Sequence, residues 1–242
     1  MIITSPNNER IKELTKLKQS KYRTKHGLYL VEGSHLVAEA FKANALTEVF
    51  IIEGESLNLD TKVTIISKSV MQTLSCLTTP TTMIGVCKIP KDITIGNKVL
   101  CLDDIQDPGN LGTIIRSAAA FNIDTILLGS GSVDLYNEKV LRATQGIHFG
   151  LEIAKLDLAP KIKDLKASGY YIYGTDVNDG IPVTDINPPA KFVLIMGNEG
   201  RGMSEVLSKL SDQKLYLDIN NKCESLNVAV ATSIILYELG KR

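Results

Sequence analysis

The sequence predicts an α/β protein: a mostly parallel C-terminal sheet with helices on both faces, preceded by a smaller N-terminal α/β domain. Three observations carry this. Runs such as residues 99–102 and 192–196 are apolar at every position, the pattern of strands covered on both faces. Helical stretches alternate with these strands through most of the chain. Pro90-Lys91-Asp92 followed by Gly96-Asn97 marks a linker, giving domains of residues 1–92 and 97–242.

Composition bounds the class. The chain has 242 residues, 44% hydrophobic and 22% charged, enough for a sizeable core in one large or two modest domains. No apolar run reaches the roughly 18 residues of a membrane span. The opening MIITSPNNERIKEL lacks a secretory apolar region, and Glu9 and Glu13 argue against a transit peptide, so the expected location is cytoplasmic with no membrane partner. Cys76, Cys87, Cys101 and Cys223 form no C-x-x-C pair, and His26, His35 and His148 show no metal-ligand spacing; free thiols and no metal site are expected. The formal net charge is zero, so any nucleic-acid partner must be read from charge distribution, not from its total.

In the N-terminal part, Ser5-Pro6 predicts a helix start and Ile11, Leu14 and Leu17 one buried face, with the helix running to about Gln19. Strands are expected at 28–31, 49–52, 63–66 and 83–89, and helices at 35–43 and, capped by Ser67, through Leu74. Residues 1–25 carry Arg10, Lys12, Lys16, Lys18, Lys21, Arg23 and Lys25 against Glu9 and Glu13. Taken alone, such a run is a solvated helix face; the alternative is an arm that contacts phosphates.

In the C-terminal part, the strand at 99–102 ends in Asp103-Asp104, and an alanine-rich helix reaches Phe121 with Asn110 near its start and Arg116 further along. Strands at 124–128, 149–153 and 170–173 alternate with helices at 136–144 and 160–167, and residues 181–190, with three prolines, form a loop. Gly129-Ser130-Gly131 is not a dinucleotide fingerprint, because Asp134 stands where the third glycine belongs, and no G-x-x-x-x-G-K-[ST] loop exists. The strand at 192–196 runs into Gly197-Asn198-Glu199-Gly200-Arg201-Gly202 and then Met203-Ser204. Ligands of parallel sheets bind at the carboxyl ends of strands, and three glycines in six residues leave backbone groups open there. A simple β-to-α connection accounts for the glycines equally well. A strand at 215–219, a polar turn and a long apolar terminal helix, buried in the sheet or in a subunit interface, complete the chain.

Three blocks in order then stand out: Asn110-x-Gly112-Thr113-Ile114-Ile115-Arg116, Met196-Gly197-Asn198-Glu199-Gly200-x-Gly202-Met203-Ser204, and Glu224-Ser225-Leu226-Asn227-Val228-x-Val230-Ala231. Together they resemble the three motifs of the SpoU (TrmH-like) branch of the SPOUT RNA methyltransferases, over residues 97–242. The run Tyr22-Arg23-x-x-x-x-Gly27-x-Tyr29-Leu30-Val31-Glu32-Gly33 resembles the substrate-binding domain attached to many members. The resemblance implies a deep trefoil knot in the C-terminal sheet, a homodimer, and transfer of a methyl group from S-adenosylmethionine to a ribose 2′-hydroxyl, in ribosomal RNA more than in transfer RNA. It implies Arg116 as the residue acting on the ribose, with Asn110, Glu199, Ser225 and Asn227 shaping the site. Cofactor contacts would come from backbone groups of Gly197, Leu217, Ile219 and Leu226. With RNA as substrate, Arg10, Lys12, Lys16, Lys21, Arg23 and Lys25 become candidate phosphate contacts.

Two positions depart from the pattern. Asp218 stands where the third motif has proline, and a carboxylate beside an adenine slot requires solvent or a partner. Asn221 stands at the glycine position, where asparagine tolerates a left-handed turn. The altered motif leaves a catalytically silent RNA-binding relative as an alternative. A nucleotide-dependent metabolic enzyme on an ordinary doubly wound sheet is a third reading, opposed by the missing phosphate-binding fingerprints.

Overall fold

The computed structural model describes residues 2–177, 179–220 and 222–240. The chain divides into two compact units, Met1–Asp92 with Asp134–Phe149, and Ile93–Val133 with Gly150–Arg242. The departure of Asn221 from the motif lies outside the described residues.

The first unit carries a five-stranded mixed sheet. In chain order it contains β1 (Ile2–Ile3), α1 (Glu9–Lys16), α2 (Ser20–His26), β2 (Leu28–Glu32), α3 (Ser34–Lys42), β3 (Leu46–Ile52), β4 (Val63–Ile66), α4 (Lys68–Leu74) and β5 (Met83–Lys88). Strands run in the order β1-β4-β3-β5-β2, with β5 antiparallel to both its neighbours. Ile11, Leu14 and Leu17 share the face that the three-residue spacing requires, and all three are buried against Phe50, Ile66 and Leu74. The start of α1 differs from expectation. Asn8 is the cap, its side chain accepting from the backbone of Arg10 at 3.0 Å and Ile11 at 3.4 Å, while Ser5 closes a turn before it. Ser67 caps α4, accepting from Val70 N at 3.4 Å.

Helix α2 has no apolar stripe; Tyr22 packs against the core and Arg23 ties the helix down. The Arg23 guanidinium turns inward, donates to the carbonyls of Leu17 at 2.9 Å and Lys18 at 3.0 Å, and pairs with Asp134 at 2.5 Å. Arg23 is only 6% exposed and is a structural residue, so its place among the candidate phosphate contacts is corrected. Asp134 opens the stretch 134–149, which holds α6 (Glu138–Thr144) and all but the last residue of a 3-10 turn (Ile147–Gly150). His148 is buried between the Tyr29 hydroxyl at 3.4 Å and the Thr144 hydroxyl at 2.9 Å. Burial pushes its pKa down to about 4, so the ring is neutral near pH 7.

The second unit is built on a sheet of seven strands, parallel at every pairing: β6 (Lys98–Leu102), β7 (Thr125–Leu128), β8 (Glu152–Lys155), β9 (Tyr171–Thr175), β10 (Ile181–Pro182), β11 (Phe192–Met196) and β12 (Gln213–Tyr216). Their order is β10-β12-β9-β11-β6-β7-β8. Side chains alternate across the sheet. Val99, Cys101, Leu127, Ile172, Val193 and Ile195 form one core with α7 (Leu158–Ala167) and α8 (Glu205–Leu210). Leu100, Leu102, Ile126 and Leu194, fully buried at the intervening positions, face the other way, the side covered by α5 (Pro108–Ala120) and α9 (Val228–Gly240). These two helices pack together, with a Ser117–Ser233 hydroxyl bond at 2.7 Å and Phe121 against Tyr237 at 5.7 Å between ring centroids. The proline-rich stretch is not all loop: Ile181–Pro182 adds the edge strand β10 against β12.

Candidate active site

The site lies at the carboxyl end of β11, where the chain leaves a strand buried at every residue. Gly197 is required there, because a Cβ would come within 2.2 Å of Met203 N and 2.3 Å of the Gly202 carbonyl carbon. Gly202 adopts φ +69°, a left-handed conformation that closes the loop back on its start. Asn198 and Gly202 exchange backbone hydrogen bonds of 2.9 and 3.0 Å, and the Asn198 side-chain oxygen accepts from Gly200 N and Arg201 N, each at 3.0 Å. Further bonds anchor the loop to the end of β6: Asn198 Nδ2 donates to the Asp104 carbonyl at 2.8 Å, and Ser204 N donates to Asp103 at 2.7 Å.

Glu199 joins this loop to the first motif. Its carboxylate accepts from Gln106 N at 3.3 Å, Asp107 N at 3.2 Å and Asn110 Nδ2 at 3.1 Å. Asn110 sits in the first turn of α5, not before the helix, and Asp107 is the cap, accepting from Asn110 N at 2.8 Å. Partial desolvation pushes the Glu199 pKa up, but the hydrogen bonds outweigh it and the net shift is downward. The group therefore stays an anion at neutral pH.

Asn110 passes the link on to the third motif. Its side-chain oxygen accepts from Asn227 Nδ2 at 2.9 Å, while the Asn227 oxygen accepts from Ala229 N at 2.9 Å and Val230 N at 3.3 Å at the start of α9. Glu199, Asn110 and Asn227, one from each block, are thus joined in one hydrogen-bonded line.

Beside that line is a cavity of about 400 Å³. Gly197, Leu217, Ile219, Leu226, Ser225 and Glu199, all expected at the site, line it. Val228, Ala231 and Ile235 of α9 add an apolar floor. Asp218 does not line the cavity; it lies between Leu217 and Ile219 and is exposed, which satisfies the solvation its carboxylate requires. Thr175, Asp176 and Val177 at the end of β9 also line it and were not expected. The rule that ligands bind at strand carboxyl ends points to them, but only once β9 is known to lie beside β11.

Arg116 is not on the cavity wall. It lies six residues beyond Asn110 on α5, roughly 9 Å along the helix axis, exposed and with no ion pair recorded among the described residues. Among the described residues no group of three or more His, Cys, Asp or Glu side chains could hold a metal ion.

Fold and site together define a parallel α/β protein with a cavity at the carboxyl edge of the sheet, lined by the ends of β9 and β11, the segment after β12 and the start of α9. Residues 97–237 match the SpoU rRNA Methylase family, and residues 8–85 match the MRM3-like substrate binding domain. The chain belongs to the SpoU rRNA methylase family. It is 37% identical, over 98% of both chains, to a Bacillus subtilis protein named 23S rRNA (guanosine(2553)-2′-O)-methyltransferase RlmP. Among solved structures, a TrmH-family protein from Porphyromonas gingivalis matches with a TM-score of 0.87 at 29% identity, covering 96% of this chain and 97% of that one. An AdoMet-bound rRNA methyltransferase from Sinorhizobium meliloti matches with a TM-score of 0.88 at 26% identity, covering 100% of this chain and 97% of that one.

The line from Glu199 to Asn110 is directly testable. In a double-mutant cycle of Glu199→Gln and Asn110→Ala, followed by urea unfolding, a coupling energy of about 0.5–3 kcal/mol is expected. Strict additivity would mean that the two side chains do not act on one another.

Proposed function

We propose that this protein is an S-adenosylmethionine-dependent methyltransferase that methylates a ribose 2′-hydroxyl of RNA, ribosomal rather than transfer RNA. One observation carries the reading: the three sequence blocks are joined through Glu199, Asn110 and Asn227 beside a cavity that the second and third blocks line. The name of the B. subtilis relative supports the reaction and the ribosomal substrate, and the S. meliloti structure supports the cofactor. The silent-relative reading loses its main support with Asp218 outside the cavity, and family membership leaves none for a metabolic enzyme.

The residues present fit this cofactor. The cavity is within the usual range for small-molecule sites, and Leu217, Ile219, Leu226, Val228 and Ile235 give apolar walls suited to a purine. Backbone groups of Gly197, Leu217, Ile219 and Leu226 would hold the adenosine, because Gly197 has no side chain in the way. When bound, S-adenosylmethionine supplies an electrophilic methyl group on a sulfonium. Arg116 orients the target nucleotide, and its permanently charged guanidinium stabilises the alkoxide that develops at the 2′-oxygen. Ser225 and Asn227 shape the wall where the ribose enters. Holding the two reactants in line supplies several kcal/mol, up to roughly 7–11 in ideal cases. Arg116→Ala is expected to cut the single-turnover methylation rate by roughly 100-fold or more, with cofactor affinity by calorimetry unchanged. An equal fall in affinity would sink that role.

A homodimer belongs to the same reading, as does trefoil threading of the C-terminal segment. Val230 at 47%, Ile234 at 38% and Tyr237 at 49% exposure form an apolar stripe on α9 at helical spacing. Exposed Arg116 stands on α5, the helix packed beside it, so a partner subunit covering the stripe could close the ribose site. Tyr237→Glu should sediment as a monomer where the parent protein sediments as a dimer; a monomeric parent at micromolar concentration would refute the dimer.

For RNA, residues 1–92 with the packed stretch 134–149 form the binding part in this reading, and the SpoU-matching remainder the catalytic part. Lys12, Lys16, Lys21 and Lys25 are exposed, whereas Arg10 is engaged with Glu13 and Glu48 and Lys18 with the carbonyls of Thr73 and Ser75. Lys16 and Lys21 stand 6.0 and 4.9 Å from the Tyr22 ring centroid, leaving a cationic face with one aromatic. We place the protein in the cytoplasm with its RNA; no helix among the described residues is long and apolar enough to cross a membrane. Changing the four lysines to alanine should flatten the slope of log affinity against log salt by up to about 3, at roughly 0.7 per phosphate contact. An unaltered slope would remove this face from the RNA site.

A further inference from the structure

Arg201 fills the one position between Gly200 and Gly202 to which the motif assigns no role. It stands on the partition between two cavities at the strand ends, the 400 Å³ cavity of the site and a second of about 560 Å³ bordered by Asp103, Asp104 and Ser130. The charged side chains lining the first cavity, among the described residues, are Asp176, Glu199 and Arg201. Glu199 is committed to the N–H groups of residues 106–110, and Asp176 accepts from Lys214 at 3.1 Å. Arg201 is therefore the cation on that wall.

Its present partner is itself a carboxylate, that of Asp104. The two halves of this ion pair differ in freedom. Asp104 is fixed: its backbone is left-handed at φ +64°, and its carboxylate fills the space where a Cβ on residue 131 would come within 2.0 Å of Oδ1. Arg201 is loose, its side chain 75% exposed on a loop flanked by glycines. An ion pair so exposed to solvent is weak and exchanges readily. The guanidinium fork suits any carboxylate that replaces Asp104.

S-adenosylmethionine has an amino-acid end with a carboxylate and an ammonium beside the sulfonium. On a wall whose other charged side chains are acidic and already engaged, the ligand's carboxylate needs a donor of its own. We propose that Arg201 is the counter-charge for the carboxylate of the cofactor's amino-acid end, and that Asp104 is the partner it leaves on binding. This rests on the reading of the cavity as the S-adenosylmethionine site.

Calorimetry with two ligands tests it. S-adenosylhomocysteine carries the carboxylate; 5′-methylthioadenosine keeps the adenosine and thioether without it. Arg201→Ala should weaken S-adenosylhomocysteine about tenfold or more and leave 5′-methylthioadenosine within twofold, the second ligand also reporting that the cavity is intact. Arg201→Lys should retain part of the affinity, and Asp104→Asn, which frees Arg201, should tighten S-adenosylhomocysteine severalfold. Unchanged S-adenosylhomocysteine binding in Arg201→Ala, or equal weakening of both ligands, would overturn the assignment. A parent protein that binds neither ligand would overturn the cofactor reading itself, and this proposal with it.

Discussion

One carboxylate holds the site in shape. Glu199 lies on a loop exposed to solvent, yet its charge is met by backbone N–H groups of Gln106 and Asp107 and by the Asn110 amide. Those donors cluster where α5 begins, the end of a helix at which unpaired N–H groups and the helix dipole favour an anion. With Asn110 so oriented, its oxygen is free to accept from Asn227, and Asn227 in turn caps α9. The starts of two helices and the glycine loop beside the cavity are thus linked through one negative charge.

Much of the fold was legible because burial writes itself into periodicity. Ile11, Leu14 and Leu17 at three-residue spacing and the unbroken apolar run of β11 each specify one element and one environment, and both have the predicted form. Helix α2 left no such trace: Ser20-Lys21-Tyr22-Arg23-Thr24-Lys25-His26 has no apolar stripe, and beside Tyr22 it is tied down by Arg23, which reaches Asp134 across 111 residues of chain. The site was legible in its chemistry more than in its arrangement. The glycine loop and the two asparagines were visible as residue types, but Thr175 to Val177 join them only because β9 lies between β11 and β12. Strand order is a global property that no local pattern records.

Side-chain direction resolves two further ambiguities in the sequence. In the extended segment after β12, Leu217 and Ile219 turn to the cavity and Asp218 to solvent, so a residue that breaks the motif's pattern leaves the apolar wall intact. In the basic stretch, the seven cations divide by direction. Arg23 turns into the core, Lys18 reaches backbone carbonyls and Arg10 reaches Glu48, while Lys12, Lys16, Lys21 and Lys25 point outward. Charge counted along a sequence overstates the charge available at a surface.

The return of residues 134–149 to the first unit bears on how this protein is made. Arg23 lacks its partner, and Tyr29 the imidazole packed against it, until Asp134 and His148 have been synthesised. Chains usually fold from the N-terminus as they emerge, but here the first unit is complete only after β6, α5 and β7 of the second have been synthesised. Exchanging residues 1–92 at a single junction would move Arg23 without Asp134.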